Sequence, residues 1–221
     1  MTEKPNPLYA ERLTPDNAAL LLLDHQTGIS IGIGDMTQDM FKNNALAVAK
    51  IGHVFNLPVI LTTSYEDGPN GPLMPEILAM YPDAPYIKRP GEINAWDNPE
   101  FKQAVEATGR RKLIIAGVTT DVCLLFPAIA AVAEGYDVYA VIDASGTWND
   151  IVQFTSVMRM QQAGVKVCNW VSVSAELLRD WQKPAGAQVA TLYSEHLIYY
   201  GNLIKNFQAA QAAQAVHPAH A

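Results

Sequence analysis

Three side chains in this sequence have the type and placement for nucleophilic chemistry. Asp24 closes the apolar run Ala19-Leu20-Leu21-Leu22-Leu23, Lys88 follows Tyr86-Ile87, and Cys123 lies in Gly117-Val118-Thr119-Thr120-Asp121-Val122-Cys123. A thiol attacks as its thiolate, and a free cysteine ionises near pH about 8.5, so it needs help at neutral pH. Thr120 as a helix N-cap would put Cys123 in a first helical turn, where backbone N–H groups and the positive helix end favour the thiolate. A carboxylate at the end of an apolar strand is costly unless it is paired or used. Asp24 therefore either caps the loop that follows or serves the thiol. Lys88 fits a solvated surface charge when taken alone; beside a carboxylate and a thiol it would hold both in their charged forms. Cys123 alone also fits a buried, inert cysteine. Pro127 adds a local signal: it has no N–H for the Cys123 carbonyl, so the corner is not expected to start a regular helix.

Other candidates are weaker. His25 adjoins Asp24, but adjacent strand residues point to opposite faces, so the two cannot both face Cys123. No G-x-S-x-G elbow is present. Cys168 ends an edge-type strand with no charged partner nearby in sequence and reads as structural. Gly28, Gly32 and Gly34 do not form a dinucleotide fingerprint, because Asp24-His25-Gln26-Thr27 separates them from the first strand. Gln26, Asn94, Trp96 and Trp148 fall in loops at the carboxyl end of the strands and are candidate pocket walls. Each tryptophan fits equally well as packing under a loop or at a subunit contact.

The elements that must carry these residues alternate. Short apolar, β-branched runs mark strands at 18–24, 59–63, 86–88, 113–117, 138–143 and 165–169. The runs at 18–24 and 113–117 are apolar on both faces, as in a parallel sheet covered by helices on each side. Between the first two strands, Phe41, Ala45, Val48, Ala49, Gly52 and Phe55 share one helical face, with Asp35 or Thr37 as its cap. Further helices are expected over 99–108, 121–134, 150–163 and 174–181. The pattern predicts a doubly wound α/β domain, in which ligands lie beyond the carboxyl ends of the strands. Residues 1–182 form that domain. Residues 183–221, after the break Lys183-Pro184-Ala185-Gly186, form a helical extension whose stripe Leu197, Tyr200, Leu203, Ile204 and Phe207 needs a neighbouring subunit or its own domain to cover it.

The run Lys88 with Gly91-Glu92-Ile93-Asn94-Ala95-Trp96-Asp97-Asn98, followed by Ile114-Ile115-Ala116-Gly117-Val118-Thr119-Thr120-Asp121-Val122-Cys123, resembles the isochorismatase-like cysteine hydrolases, most of all their YcaC branch. The likeness continues through Glu134-Gly135-Tyr136-Asp137-Val138, Asp143-Ala144-Ser145-Gly146-Thr147 and Tyr193-Ser194-Glu195-His196. The resemblance implies an Asp–Lys–Cys triad at Asp24, Lys88 and Cys123, a cis peptide between Val118 and Thr119, and an oxyanion hole from the amides of Thr119 and Cys123. It also implies a mainly parallel six-stranded sheet in the order 3-2-1-4-5-6 and homo-oligomers built as octamers of two tetrameric rings. Zinc-bearing nicotinamidases of the family use an aspartate and histidines soon after the second strand. No histidine lies between Thr62 and Lys88, so no metal or other cofactor is expected.

Composition narrows the partners. A net charge of −7 with no basic run gives no electrostatic reason to bind a phosphate backbone. Met1 to Thr14 is polar and no apolar run approaches membrane-spanning length, so neither a secretory leader nor a membrane partner is expected. Two cysteines without a C-x-x-C pair give no disulfide framework. The expectation is a cytoplasmic amidohydrolase acting on a small-molecule amide or carbamoyl compound. Its rivals are a metal-dependent nicotinamidase and an oligomeric scaffold with an idle triad.

Overall fold

The structure is a computed structural model that describes residues 11–216. The central strand β1 (Ala18–Leu23) is fully buried along its length, because its leucines alternate between two helix-covered faces. Each such leucine contributes roughly 1.5–3 kcal/mol by burial. Around it lie β2 (Val59–Ser64), β3 (Tyr86–Arg89), β4 (Lys112–Gly117), β5 (Asp137–Val141) and β6 (Lys166–Cys168). All neighbours pair in parallel, in the order β3-β2-β1-β4-β5-β6. β1 and β4 end side by side, with Leu23 opposite Gly117, and this registers the Asp24 and Cys123 loops to one another.

Helices α1 (Gln38–Val54), α2 (Pro75–Met80), α3 (Pro99–Ala107), α4 (Leu125–Ala133), α5 (Asp150–Gln162) and α6 (Trp170–Leu178) complete this unit. Thr37 rather than Asp35 caps α1, its hydroxyl accepting from Met40 N–H at 3.2 Å. Pro99 opens α3 behind an Asn98 cap, where its missing N–H costs nothing. Two expectations shift. α6 starts at Trp170 rather than 174, because Asn169 and Ser172 form a reciprocal capping box, and it stops where Arg179 turns left-handed (φ 62°). The expected helix at 121–134 is two elements: a π-helical turn over Thr120–Leu124, then α4.

The chain divides into two compact units, Met1–Arg179 and Asp180–Ala221. The second contains α7 (Gly186–His196), which the sequence pattern did not reveal, and α8 (Ile198–Val216). Within it Trp181, Tyr193 and Tyr200 pack ring against ring. Ile198, Leu203 and Phe207 of α8 are exposed on this chain. Among the described residues no helix is long and apolar enough to cross a membrane.

Candidate active site

Asp24 takes a left-handed backbone conformation (φ 55°) immediately after β1, one that aspartate tolerates better than most residues. Its N–H donates to Thr62 O at 2.9 Å, which ties the turn to β2. The carboxylate is 1% exposed and receives the Cys123 thiol as a hydrogen-bond donor.

The cation on this carboxylate is Arg89, not Lys88. Arg89 Nη2 donates to both Asp24 oxygens, at 2.6 Å to Oδ2, with neither side chain accessible. Lys88 points the other way: its side chain is 62% exposed and its ammonium pairs with Glu66 at 2.8 Å. The triad expectation at Lys88 is therefore corrected by one residue. β3 alternates, so Ile87 and Arg89 face the core while Tyr86 and Lys88 face outward. Sequence reasoning missed Arg89 although that alternation could have found it, since apolar Ile87 marks the inward face.

Cys123 sits in the π-helical turn, 8% exposed. The Thr119 N–H donates to its sulfur, and the Val118–Thr119 peptide is cis. Gly117 is required by close approach, since a Cβ there would meet the Cys123 carbonyl oxygen and Leu23 Cβ, each at 3.1 Å. Thr120 is not the cap expected. Thr119 occupies that position without a side-chain bond, while the Thr120 N–H and hydroxyl both donate to Gly146 O, at 2.9 and 3.1 Å. Ser145 Oγ accepts from Gly117 N–H at 3.2 Å, so the loop after β5 braces the whole corner.

The electrostatics also correct an expectation. Burial, and then the Asp24 charge, push the Cys123 thiol well above its ordinary range, which outweighs the Thr119 N–H and the Arg89 charge. The resting residue is a thiol beside a base, not a standing thiolate. Burial raises the Asp24 carboxyl too, with Arg89 working against it, and this makes Asp24 a stronger acceptor for the thiol proton. Cys168 donates to Ala140 O at 3.3 Å and is likewise pushed up by burial.

Of the candidate pocket walls, three are structural. Gln26 is fully buried, its amide bonded to Ser64 N–H (2.9 Å), Ser64 O (3.0 Å) and Gly71 O (2.5 Å). Asn94 caps the turn at Ala95–Asp97 through Trp96 N–H at 3.0 Å. Trp96 is 5% exposed and packs edge-on against Phe101 and Tyr136 in the core. Trp148 is half-exposed and covers Gly32, where an added Cβ would meet its ring at 2.4 Å.

His25 turns away from the thiol, with Nε2 2.9 Å from Ala144 O and its ring stacked near Phe41. Burial drops its pKa from 6.5 to about 4. Between those values the unfolded chain binds a proton that the folded chain refuses, so His25 makes stability fall as pH drops from 6.5 towards 4. The loss approaches about 3 kcal/mol. A His25→Gln variant should lose less stability than the unmodified protein between pH 7 and pH 5 in urea titrations. Identical pH dependence would contradict this assignment.

Comparison with known proteins follows the same lines. The Isochorismatase domain family matches residues 18–172. The probable hydrolase YcaC of Escherichia coli K12 is 52% identical over 196 residues, covering 89% of this chain and 94% of that protein. The structure of Pseudomonas aeruginosa YcaC, described with hexane-2,5-diol and covalent acrylamide, superposes with a TM-score of 0.87 at 52% identity, over 90% of this chain and 98% of that one. E. coli YcaC, described as an octameric hydrolase of unknown specificity, superposes with a TM-score of 0.88 at 51% identity, over 94% and 99%. With this likeness across the sheet and the loops that carry Asp24, Arg89 and Cys123, the chain belongs to the isochorismatase domain family, in its YcaC branch.

Proposed function

We propose that this protein is a cysteine-nucleophile amidohydrolase that cleaves a C–N bond of a small amide or carbamoyl compound through a thioester. The observation that carries the reading is the buried thiol of Cys123 bonded to an Asp24 carboxylate that Arg89 holds in place. Asp24 takes the thiol proton as sulfur attacks the carbonyl carbon. The oxyanion forms against the amides of Thr119 and Cys123, an effect worth about 3 kcal/mol per donor. The intermediate collapses as Asp24 returns its proton to the leaving nitrogen. A water then gives a proton to Asp24 and attacks the thioester, releasing the acid and the thiol. Arg89 fills the role that the resemblance assigned to Lys88, since it is the cation that touches Asp24.

The covalent acrylamide described for the P. aeruginosa relative supports the reading, because acrylamide is both a small amide and a trap for nucleophiles. We extend the octameric state described for the E. coli relative to this chain; two tetrameric rings and a cytoplasmic location complete the proposal. Among the described residues no three His, Cys, Asp or Glu side chains converge to hold a metal ion.

A screen of small amides for ammonia release tests the proposal. At least one neutral amide should be turned over by the protein and not by Cys123→Ala. Ammonia release that persists in Cys123→Ala would remove Cys123 as the nucleophile. Silence across all amides would favour an oligomeric scaffold.

A further inference from the structure

The way Arg89 is spent restricts what the site can accept. A guanidinium has five N–H donors. Those of Arg89 meet five acceptors inside the protein: Nε donates to Thr62 Oγ1 at 3.1 Å, Nη1 to Glu92 O and to Ile93 O at 3.2 Å, and Nη2 to the two Asp24 oxygens. The side chain is wholly inaccessible. Arg89, among the described residues the one buried cation at the site, thus has no N–H left to offer a substrate carboxylate. The adjacent cation Lys88 is also engaged, by Glu66 at 2.8 Å.

Charge accounting through the reaction gives the consequence. At rest, one positive charge on Arg89 faces one negative charge on Asp24, beside a neutral thiol. When Asp24 takes the thiol proton, the negative charge moves to the oxyanion and the balance is kept. A carboxylate or phosphate on the acyl group would add a second, uncovered negative charge in a desolvated site, which raises its energy at every stage. We infer that the site selects acyl groups that carry no charge, so that its substrates are neutral amides or carbamoyl compounds rather than amides of anionic acids. This inference rests on Cys123 being the nucleophile.

Iodoacetamide and iodoacetate test it directly. With either reagent the sulfur displaces iodide from the CH2 carbon and the thiol proton leaves to Asp24 or solvent; the reagents differ chiefly in the carboxylate charge. Rate constants at Cys123 in the native full-length protein are measured by peptide mass spectrometry. They are compared with those for the same cysteine in the urea-unfolded chain. The native preference for iodoacetamide should exceed the unfolded preference by about tenfold or more, the size of one pKa unit of unfavourable interaction. In Asp24→Asn, which leaves Arg89 uncompensated, that excess should shrink or reverse. A native preference equal to the unfolded one, or in favour of iodoacetate, overturns the neutral-substrate inference and leaves the nucleophile intact. Failure of both reagents at native Cys123, with labelling after unfolding, removes the nucleophile reading and this inference with it.

Discussion

Replacing Arg89 with methionine is expected to cost about 3–5 kcal/mol of stability, because it strands the Asp24 carboxylate in a site from which water is excluded. Replacing Lys88 with methionine should move stability by less than about 0.5 kcal/mol, as for other exposed ion pairs. The two residues are adjacent, similar in charge and indistinguishable by composition, so the contrast isolates burial as the cause: the Arg89 side chain is 0% exposed and that of Lys88 62%. Arg89→Lys should rescue little, since a point charge cannot bond Thr62, the Glu92 and Ile93 carbonyls and both Asp24 oxygens at once. Adding Asp24→Asn to Arg89→Met should restore part of the loss by removing the stranded charge, a coupling that a double-mutant cycle reads out. Urea denaturation of these four variants, of Asp24→Asn alone to complete the cycle, and of the parent decides the matter. If Lys88→Met proved the costly change, the assignment of Arg89 would fail. Amide turnover should fall with Arg89→Met as well, because burial unopposed by the guanidinium raises the Asp24 carboxyl further and leaves it protonated when it is needed as a base.

The order of the sheet, β3-β2-β1-β4-β5-β6, came with the family resemblance; the doubly wound class was legible because each strand is a short apolar run between helix-length segments. Asp24 and Cys123 were legible for the same reason. Both lie just past the carboxyl ends of the two strands at the centre of the sheet, where chain geometry leaves little choice of position. Arg89 was not found, because choosing between neighbouring cations needs the strand's face, and a four-residue edge strand gives one apolar residue, Ile87, to fix it. The resting state of the thiol was misjudged for a different reason. A regular helix start beside a lysine would have favoured thiolate, whereas the chain makes a π-helical turn and puts a carboxylate against the sulfur. Pro127 signalled the irregular turn but not the resulting charge. Gln26, Asn94 and Trp96 were read as pocket walls from their position after strands, yet their side chains bond or pack within the protein. Position along the chain sets the end of the sheet at which a residue lies, but not whether it faces the pocket or the core.

Substituting Asp24 by asparagine should lower amide turnover by about 10²–10⁴-fold, the usual contribution of a positioned acid–base group. The variant loses both the acceptor for the thiol proton and the acid for the leaving nitrogen, so the deficit should persist at every pH. Alkylation of Cys123 by iodoacetamide should respond differently, because that reaction needs a proton acceptor but no acid. In the unmodified protein the rate should rise as Asp24 ionises and then level off, since the carboxylate collects the proton during attack. In Asp24→Asn the rate should instead climb about tenfold per pH unit as thiolate accumulates. The Asp24 charge is one of the causes that raise the thiol, and the Arg89 charge opposes them. Its removal shifts ionisation to lower pH, so the rising limb should appear earlier than burial alone would allow. Slow labelling at acidic pH would then meet or overtake the parent at alkaline pH, while turnover stays low throughout. A purely structural role for Asp24 predicts something else, namely parallel losses in both assays and a folded chain in which Cys123 and Cys168 label alike. A level alkylation profile in Asp24→Asn would show that another group takes the thiol proton. Unchanged turnover would remove Asp24 from the chemistry altogether.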